Sequence, residues 1–373
     1  MSGIYLHIPF CDTKCIYCDF YSITNHSKKN EFIDSLLKEI EQKSFSLRGK
    51  KFDTIFFGGG TPSLLSSDEF KKIFDCLYKH LSISADSEIT IEANPGTLNY
   101  EKLNSFRELP INRISFGVQS FNDTDLKFLS RIHSSWQAIK AVKLAQDVGY
   151  SNLSIDLIFA LPNQSFESWN KNLELAVSLG LKHLSAYSLI FEEGTPLFNL
   201  REAGKVNEAN IELEAKMYEH TINFFESNGF NQYEISNFAK ENFECKHNLK
   251  YWTHKEYIGF GPSASSYVDN HRWTNVKNLN SYITSVNEGK DVYEFREFID
   301  RQTAKDEFIF LGLRSTGIDF ASFKKKFGND FLTKYKKPID ILTSTGFASL
   351  NQNYFRLTSK GYIVCDEIVS SYF

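Results

Sequence analysis

The residues with the plainest chemistry are three cysteines, Cys11, Cys15 and Cys18, spaced C-x3-C-x2-C just after an apolar run, Ile4-Tyr5-Leu6-His7-Ile8-Pro9-Phe10. Thiolates this close in sequence can converge on one soft metal centre, and they are the usual ligands of iron–sulfur clusters. A four-iron cluster has four iron corners, and this loop supplies three sulfurs, so the fourth iron would stay open to a substrate or cofactor. Zinc is the alternative, although a structural zinc site closes with four ligands, usually spaced as two distant pairs. A disulfide fits less well, because three clustered cysteines leave one unpaired and no secretory context is visible. Cys76, Cys245 and Cys365 are scattered singly and read as small buried apolar residues.

The elements that must position such a loop follow a strand–helix rhythm. Strand-like runs at Gly3–Pro9, Asp53–Gly60, Glu88–Asn94, Arg113–Ser120, Asn152–Pro162 and His183–Ile190 alternate with amphipathic segments, the last near Glu208–Gly229. Ser66-x-x-Glu69 and Ser134-x-x-Gln137 are capping-box patterns that open two of the helices. This rhythm predicts a parallel sheet, either doubly wound or an incomplete barrel, with ligands at the carboxyl ends of its strands. Those ends are polar or glycine-rich: the cysteine loop, Gly58-Gly59-Gly60-Thr61-Pro62, Glu92-Ala-Asn94-Pro95, Gly117-Val-Gln119-Ser120, and Asp156 with Leu161-Pro162. The triple glycine lets backbone approach a ligand, but no Gly-Lys-Ser/Thr follows, which argues against a Walker loop.

The chain has 373 residues, 42% of them hydrophobic and 24% charged, with a formal net charge of -4. That is an ordinary globular composition, long enough for two domains, with no overall attraction to nucleic acid or anionic membrane. No signal-peptide pattern opens the sequence and no apolar run is long enough to span a bilayer, so a cytoplasmic location is expected.

The cysteine spacing with Tyr17 before the third thiol, together with Gly58–Pro62, resembles the radical S-adenosylmethionine (SAM) superfamily. Within it, Tyr5-Leu-His-Ile-Pro-Phe-Cys11, Gly117-Val-Gln119-Ser-Phe121, Arg131-Ile-His133 and Ile155-Asp156-Leu-Ile resemble the oxygen-independent coproporphyrinogen oxidases and the related HemW-type haem chaperones. So do His247-Asn-Leu-Lys-Tyr251-Trp252 and Gly259-Phe-Gly261-Pro-Ser-Ala264. The resemblance implies a partial (β/α)6 TIM-type barrel over residues 1–265. A connecting segment and a smaller, mostly helical, winged-helix-like domain would follow over 266–373. Cys11, Cys15 and Cys18 would ligate a [4Fe–4S] cluster whose open iron takes SAM. Tyr5, Tyr17, Gly59, Gly60, Thr61 and Glu92 match positions at that SAM, and Gln119, Arg131 and Asp156 match positions at a second SAM in the oxidases. On residues alone, Arg131 and Asp156 could instead be a buried ion pair.

Three features side with the chaperones: Phe20, the short stretch ahead of Cys11, and the segment His247–Trp252. The oxidases carry a further cysteine two places after the third, where this sequence has Phe20. They also carry a long extension ahead of the cysteine loop, whereas ten residues precede Cys11 here. The segment His247–Trp252 resembles one proposed to help hold haem, with Cys245 as another possible axial ligand. The alternative is that His247 hydrogen-bonds locally while Tyr251 and Trp252 close the mouth of the barrel over SAM. His7 reads as a core or supporting histidine. The chaperone branch implies haem as cargo and recipient haemoproteins of respiratory-chain type, reached through weak, partner-mediated membrane contact. It also implies an electron donor wherever SAM is cleaved. The oxidase branch implies radical decarboxylation of coproporphyrinogen III.

In the C-terminal part, helices are predicted at Thr303–Leu313, Phe320–Phe327 and Phe331–Ser344, then a hairpin, Ala348–Leu350 and Tyr354–Leu357 around Asn351-Gln-Asn353, and a last helix. Lys324–Lys326 and Lys334–Lys337 leave a nucleic-acid-binding module as the third and weakest reading.

Overall fold

The computed structural model describes residues 1–373. The first half alternates β1 (Ser2–Ile8), α1 (Lys29–Ser44), β2 (Lys51–Gly59), α2 (Ser67–His80), β3 (Ser82–Ala93), α3 (Tyr100–Arg107), β4 (Arg113–Gln119), α4 (Asp123–Phe128), α5 (Ser135–Asp147), β5 (Leu153–Phe159), α6 (Phe166–Ser178) and β6 (His183–Ser188). These six strands lie side by side in chain order, each parallel to the next. Both predicted capping boxes form, at Ser66 and Ser134. Along β1, Ile4, Leu6 and Ile8 are fully buried in the core shared with the surrounding helices. The alternate residues Gly3, Tyr5 and His7 turn into the barrel, because successive strand side chains point to opposite faces.

After α7 (Pro196–Glu202) and α8 (Ile211–Ser227) come β7 (Asn231–Gln232), β8 (Asn237–Ala239), α9 (Lys246–Trp252), β9 (Tyr257–Phe260), β10 (Ser265–Val268), β11 (His271–Asn275), α10 (Leu279–Asn287) and β12 (Tyr293–Phe298). β9 joins the free side of β1 in parallel, and β10 to β12 extend that side antiparallel. The result is an open twelve-stranded sheet, a barrel that does not close. Residues 266–298, set apart from the barrel in the sequence reading, thus pair into its sheet. Val268, Leu279, Tyr282, Ile283, Val286 and Val292 lie in its core. β11 and β12 are half-exposed, so they lack the continuous apolar runs that mark the inner strands.

A second core, formed by residues 299–368 with Tyr267 of β10 joining it, holds the C-terminal domain. Its elements are α11 (Arg301–Leu313), β13 (Ile318–Asp319), α12 (Phe320–Phe327), α13 (Phe331–Lys334), α14 (Lys336–Ser344), β14 (Ala348–Leu350), β15 (Tyr354–Leu357), α15 (Ser359–Ile363) and α16 (Cys365–Tyr372), with a sheet in the order β13-β15-β14. The single helix predicted over 331–344 is two, because Pro338 would clash with the carbonyl four residues back, that of Lys334, where α13 ends. The domain packs on the barrel through His254 Nε2 and Glu307 Oε2 at 3.1 Å, with Lys326 Nζ 2.5 Å from His254 Nδ1. Lys326 is therefore committed to that interface rather than to a basic surface. No helix is long and apolar enough to cross a membrane.

Candidate cofactor cleft at the carboxyl ends of the strands

The cysteine loop leaves β1 and is tied to the glycine turn that leaves β2. Gly60 N donates to Ile8 O at 2.8 Å and Thr61 N to Phe10 O at 2.7 Å, while Cys11 N and Ile23 N bond across the base of the loop. This proximity explains the glycines. A Cβ on Gly60 would stand 2.6 Å from Phe10 O, and Gly59, at φ +105°, would drive one to 2.6 Å from the His7 ring. His7 is itself buried and fixed, with Nδ1 3.1 Å from Tyr5 Oη and Nε2 2.8 Å from Tyr21 O.

The three thiols border one small cavity with Thr61 and Arg131. Thr61 Oγ1 donates to Cys11 Sγ at 3.4 Å and Arg131 Nη1 to Cys15 Sγ at 3.3 Å. Burial raises the Cys11 thiol and pushes Cys18 up to about 11, so ionised sulfur in this loop needs a nearby cation. The iron of a cluster supplies that charge, and hydrogen bonds to its sulfurs tune it. The thiols are not gathered at the spacing of ligands around one ion, as a zinc site requires. The donor set therefore fits the [4Fe–4S] cluster implied by the resemblance, held by Cys11, Cys15 and Cys18.

Beside this loop lies a cleft of about 340 Å³ that brings together Tyr17, Gly59, Gly60, Thr61, Glu92, Gln119, Arg131 and Asp156. Of the residues named for SAM, only Tyr5 stays outside, one layer deeper, packed under Gly58. Two acids face each other here with no basic side chain bonded to either. Burial, and then Asp156, pushes the Glu92 carboxyl up to about 8, and burial raises Asp156 against the bonds from Ser185 and Ser115. Arg131 does not pair with Asp156; it donates to Cys15 Sγ and to Gly117 O at 2.7 Å, and its Nε is buried without a partner. Gln119 sits at φ 68°, at a bulge between β4 and β5, which aims its amide into the cleft. An acid pair with no basic partner suits a ligand carrying an ammonium and a sulfonium, as SAM does. When bound, a cluster and SAM would supply the means for a one-electron cleavage of the sulfonium. In such a complex the chain's own part would be to hold the thiols, present the acids to the cationic end, and orient the rest through Gln119 and Arg131.

Phe20, Asn94, Gly117 and Tyr187 also line the cleft. Tyr187 was missed, although its place at the end of β6 matches the strand-end pattern that pointed to the others.

His247, Tyr251 and Trp252 lie elsewhere. α9 closes the amino-terminal end of the barrel, with Lys250 Nζ 3.2 Å from Met1 O and 2.5 Å from Asp53 Oδ1. His247 is buried and both ring nitrogens are engaged, Nδ1 with Thr54 Oγ1 at 2.8 Å and Nε2 with Tyr251 Oη at 2.9 Å. Burial, followed by Lys250 and Arg113, lowers its pKa to about 3. The Cys245 thiol donates to Glu88 at 3.7 Å. The local hydrogen bonding expected of His247 is present, but Tyr251 and Trp252 close the end of the barrel opposite the cysteine loop, not a mouth over SAM.

The sequence pattern of the Radical SAM superfamily matches residues 5–176, and that of the HemN C-terminal domain matches residues 299–364. The heme chaperone HemW of Bacillus subtilis (strain 168) is 35% identical over 100% of this chain and 99% of its own length. Its counterpart in Lactococcus lactis subsp. lactis (strain IL1403) is 34% identical over 97% and 94%. Among solved structures, the coproporphyrinogen III oxidase HemN of Escherichia coli, a radical SAM enzyme, superposes with a TM-score of 0.85 at 21% identity, covering 100% of this chain and 89% of that one, a likeness of fold. A cleft built on the cysteine loop of a radical SAM barrel, joined to a HemN-type C-terminal domain and matched end to end by these relatives, makes the chain a member of the HemW family of radical SAM proteins.

Proposed function

We propose that the chain binds haem and delivers it to recipient haemoproteins, holding a [4Fe–4S] cluster and SAM in the cleft as it does so. Similarity to heme chaperones along the whole chain, not over one domain, carries this function. Phe20, which borders the cleft where the oxidases carry a further cysteine, agrees with it. The proposed recipients are haemoproteins of respiratory-chain type, loaded from the cytoplasmic side, and an electron donor is required only if SAM is cleaved. The test is a haem titration of the anaerobically reconstituted protein followed by desalting. Retention near one haem per chain with a protein-specific Soret band is expected. Loss of haem on the column, together with SAM- and reductant-dependent turnover of coproporphyrinogen III, would replace the chaperone with the oxidase.

A further inference from the structure

The haem-binding function leaves the haem without a site, because α9 is sealed and the cleft is polar. A macrocycle with a wide apolar face needs an apolar slot near the surface, and the chain has one. Between the end of β6, the start of α8 and helix α15 lies a groove of about 550 Å³, lined by 15 residues of which 11 are hydrophobic. That is the size and lining of a small-molecule site. Tyr187 lines both this groove and the cofactor cleft, so the two cavities are neighbours.

We infer that haem docks in this groove, between the barrel and the C-terminal domain; the inference rests on the haem-binding function proposed above. Tyr218 and Tyr362 give it aromatic walls with their hydroxyls turned away, donating to Ile235 O at 2.6 Å and to Ser315 O. Apolar rings whose polar tips are already satisfied favour a flat apolar ligand over a hydrogen-bonding one. Ile190 and Ile211 stand at the rim 63% and 77% exposed, far above what an aliphatic side chain gains by facing water. The two carboxylates of the groove are engaged, Glu214 by Ser188 Oγ and Asp366 by Arg314 Nη2. Arg314 lies behind Asp366, outside the groove lining, with Nη1 buried and unpartnered, and is the donor a propionate would take on displacing Asp366. Acid pair and apolar groove thus divide the ligands by chemistry: the charged sulfonium cofactor in one cavity, the porphyrin in the other.

The experiment compares haem binding by the reconstituted wild type, the double variant Ile190→Asp/Ile211→Asp, and His247→Ala. Both isoleucines are exposed, so the double variant should fold and hold its cluster normally, as checked by circular dichroism and visible absorption. Its haem affinity should fall at least tenfold with a shifted Soret band, while His247→Ala, if it folds, binds as wild type does. Arg314→Gln, which removes the propionate donor, should weaken binding severalfold and provides a second variant away from the rim. Wild-type affinity in both the rim and the Arg314 variants would overturn the groove while leaving haem binding intact. No haem retained by the wild type would overturn both.

Discussion

Gly59→Ala should destabilise the barrel by about 3 kcal/mol. Gly59 lies at φ +105°, where an L side chain costs about 1–2 kcal/mol. The added Cβ would also stand 2.6, 2.7 and 2.8 Å from Cε1, Nδ1 and Nε2 of His7. That ring cannot step aside freely, because it is 3% exposed and bonded on both sides, to Tyr5 Oη and to Tyr21 O. Displacing it leaves a buried polar group unsatisfied, which costs about 1–3 kcal/mol. Guanidinium unfolding followed by tryptophan fluorescence reads the barrel, since Trp169 lies in its core, Trp273 packs against that core, and none of the four tryptophans belongs to the second core. In a His7→Ala background the new methyl meets no ring, and only the backbone cost of about 1–2 kcal/mol should remain. The two substitutions should therefore couple by about 2 kcal/mol. An equal cost in both backgrounds would refute the steric account of this turn, as would a cost below about 1 kcal/mol in the wild type.

Glu39 is 1% exposed and accepts from Lys43 at 2.6 Å, Tyr282 Oη at 2.7 Å, Gly261 N at 2.8 Å and Asn275 Nδ2 at 3.0 Å. Glu39→Ala strands three buried donors and should cost about 3–5 kcal/mol, with Glu39→Gln in between, read from denaturation midpoints. Glu92 keeps its proton to about pH 8 in the folded chain, whereas an unfolded glutamate loses it near 4.5. Stability of the cofactor-free protein should thus fall as pH rises from about 6.5 to 8, by at most about 1.4 kcal/mol per pH unit per group. Glu234, raised to about 7, acts in the same direction. The buried histidines His7 and His247, lowered to about 4 and about 3, oppose it only below about pH 6.5. Glu92→Gln should flatten the slope in thermal melts across this window; an unchanged slope would remove Glu92 from the account. Cys15→Ala should abolish the visible absorption of the reconstituted cluster while far-ultraviolet circular dichroism stays close to wild type, and full cluster content would overturn the ligand assignment.

The parts legible in the sequence were those with short-range rules. Capping boxes at Ser66 and Ser134 and the apolar runs of β1 to β6 depend on neighbours a few residues away, and the strand-end principle gathered the cleft from five separate segments. β9 to β12 were not legible as part of the barrel sheet. Half-exposed antiparallel strands carry weak patterns, and the partner of β9 is β1, two thirds of the chain away. His247 misled for a related reason: a histidine beside tyrosine and tryptophan looks like a ligand cluster until Thr54 and Tyr251 are seen occupying both nitrogens. The groove that Tyr187 shares depends on α15 folding back against α8, which no local pattern encodes.

The pairing of β9 with β1 also sets a timetable. Gly3 to Leu6 pair with residues 54–57 on one side and with Tyr257–Phe260 on the other. During synthesis the strand that anchors the cysteine loop stays half-paired until more than two thirds of the chain has left the ribosome, a contact of high sequence separation that slows its final closure. The β1 amides that face β9 should therefore become protected with β9, later than those that face β2, and iron loading of the loop is expected as a late event, following rather than guiding the assembly of the barrel.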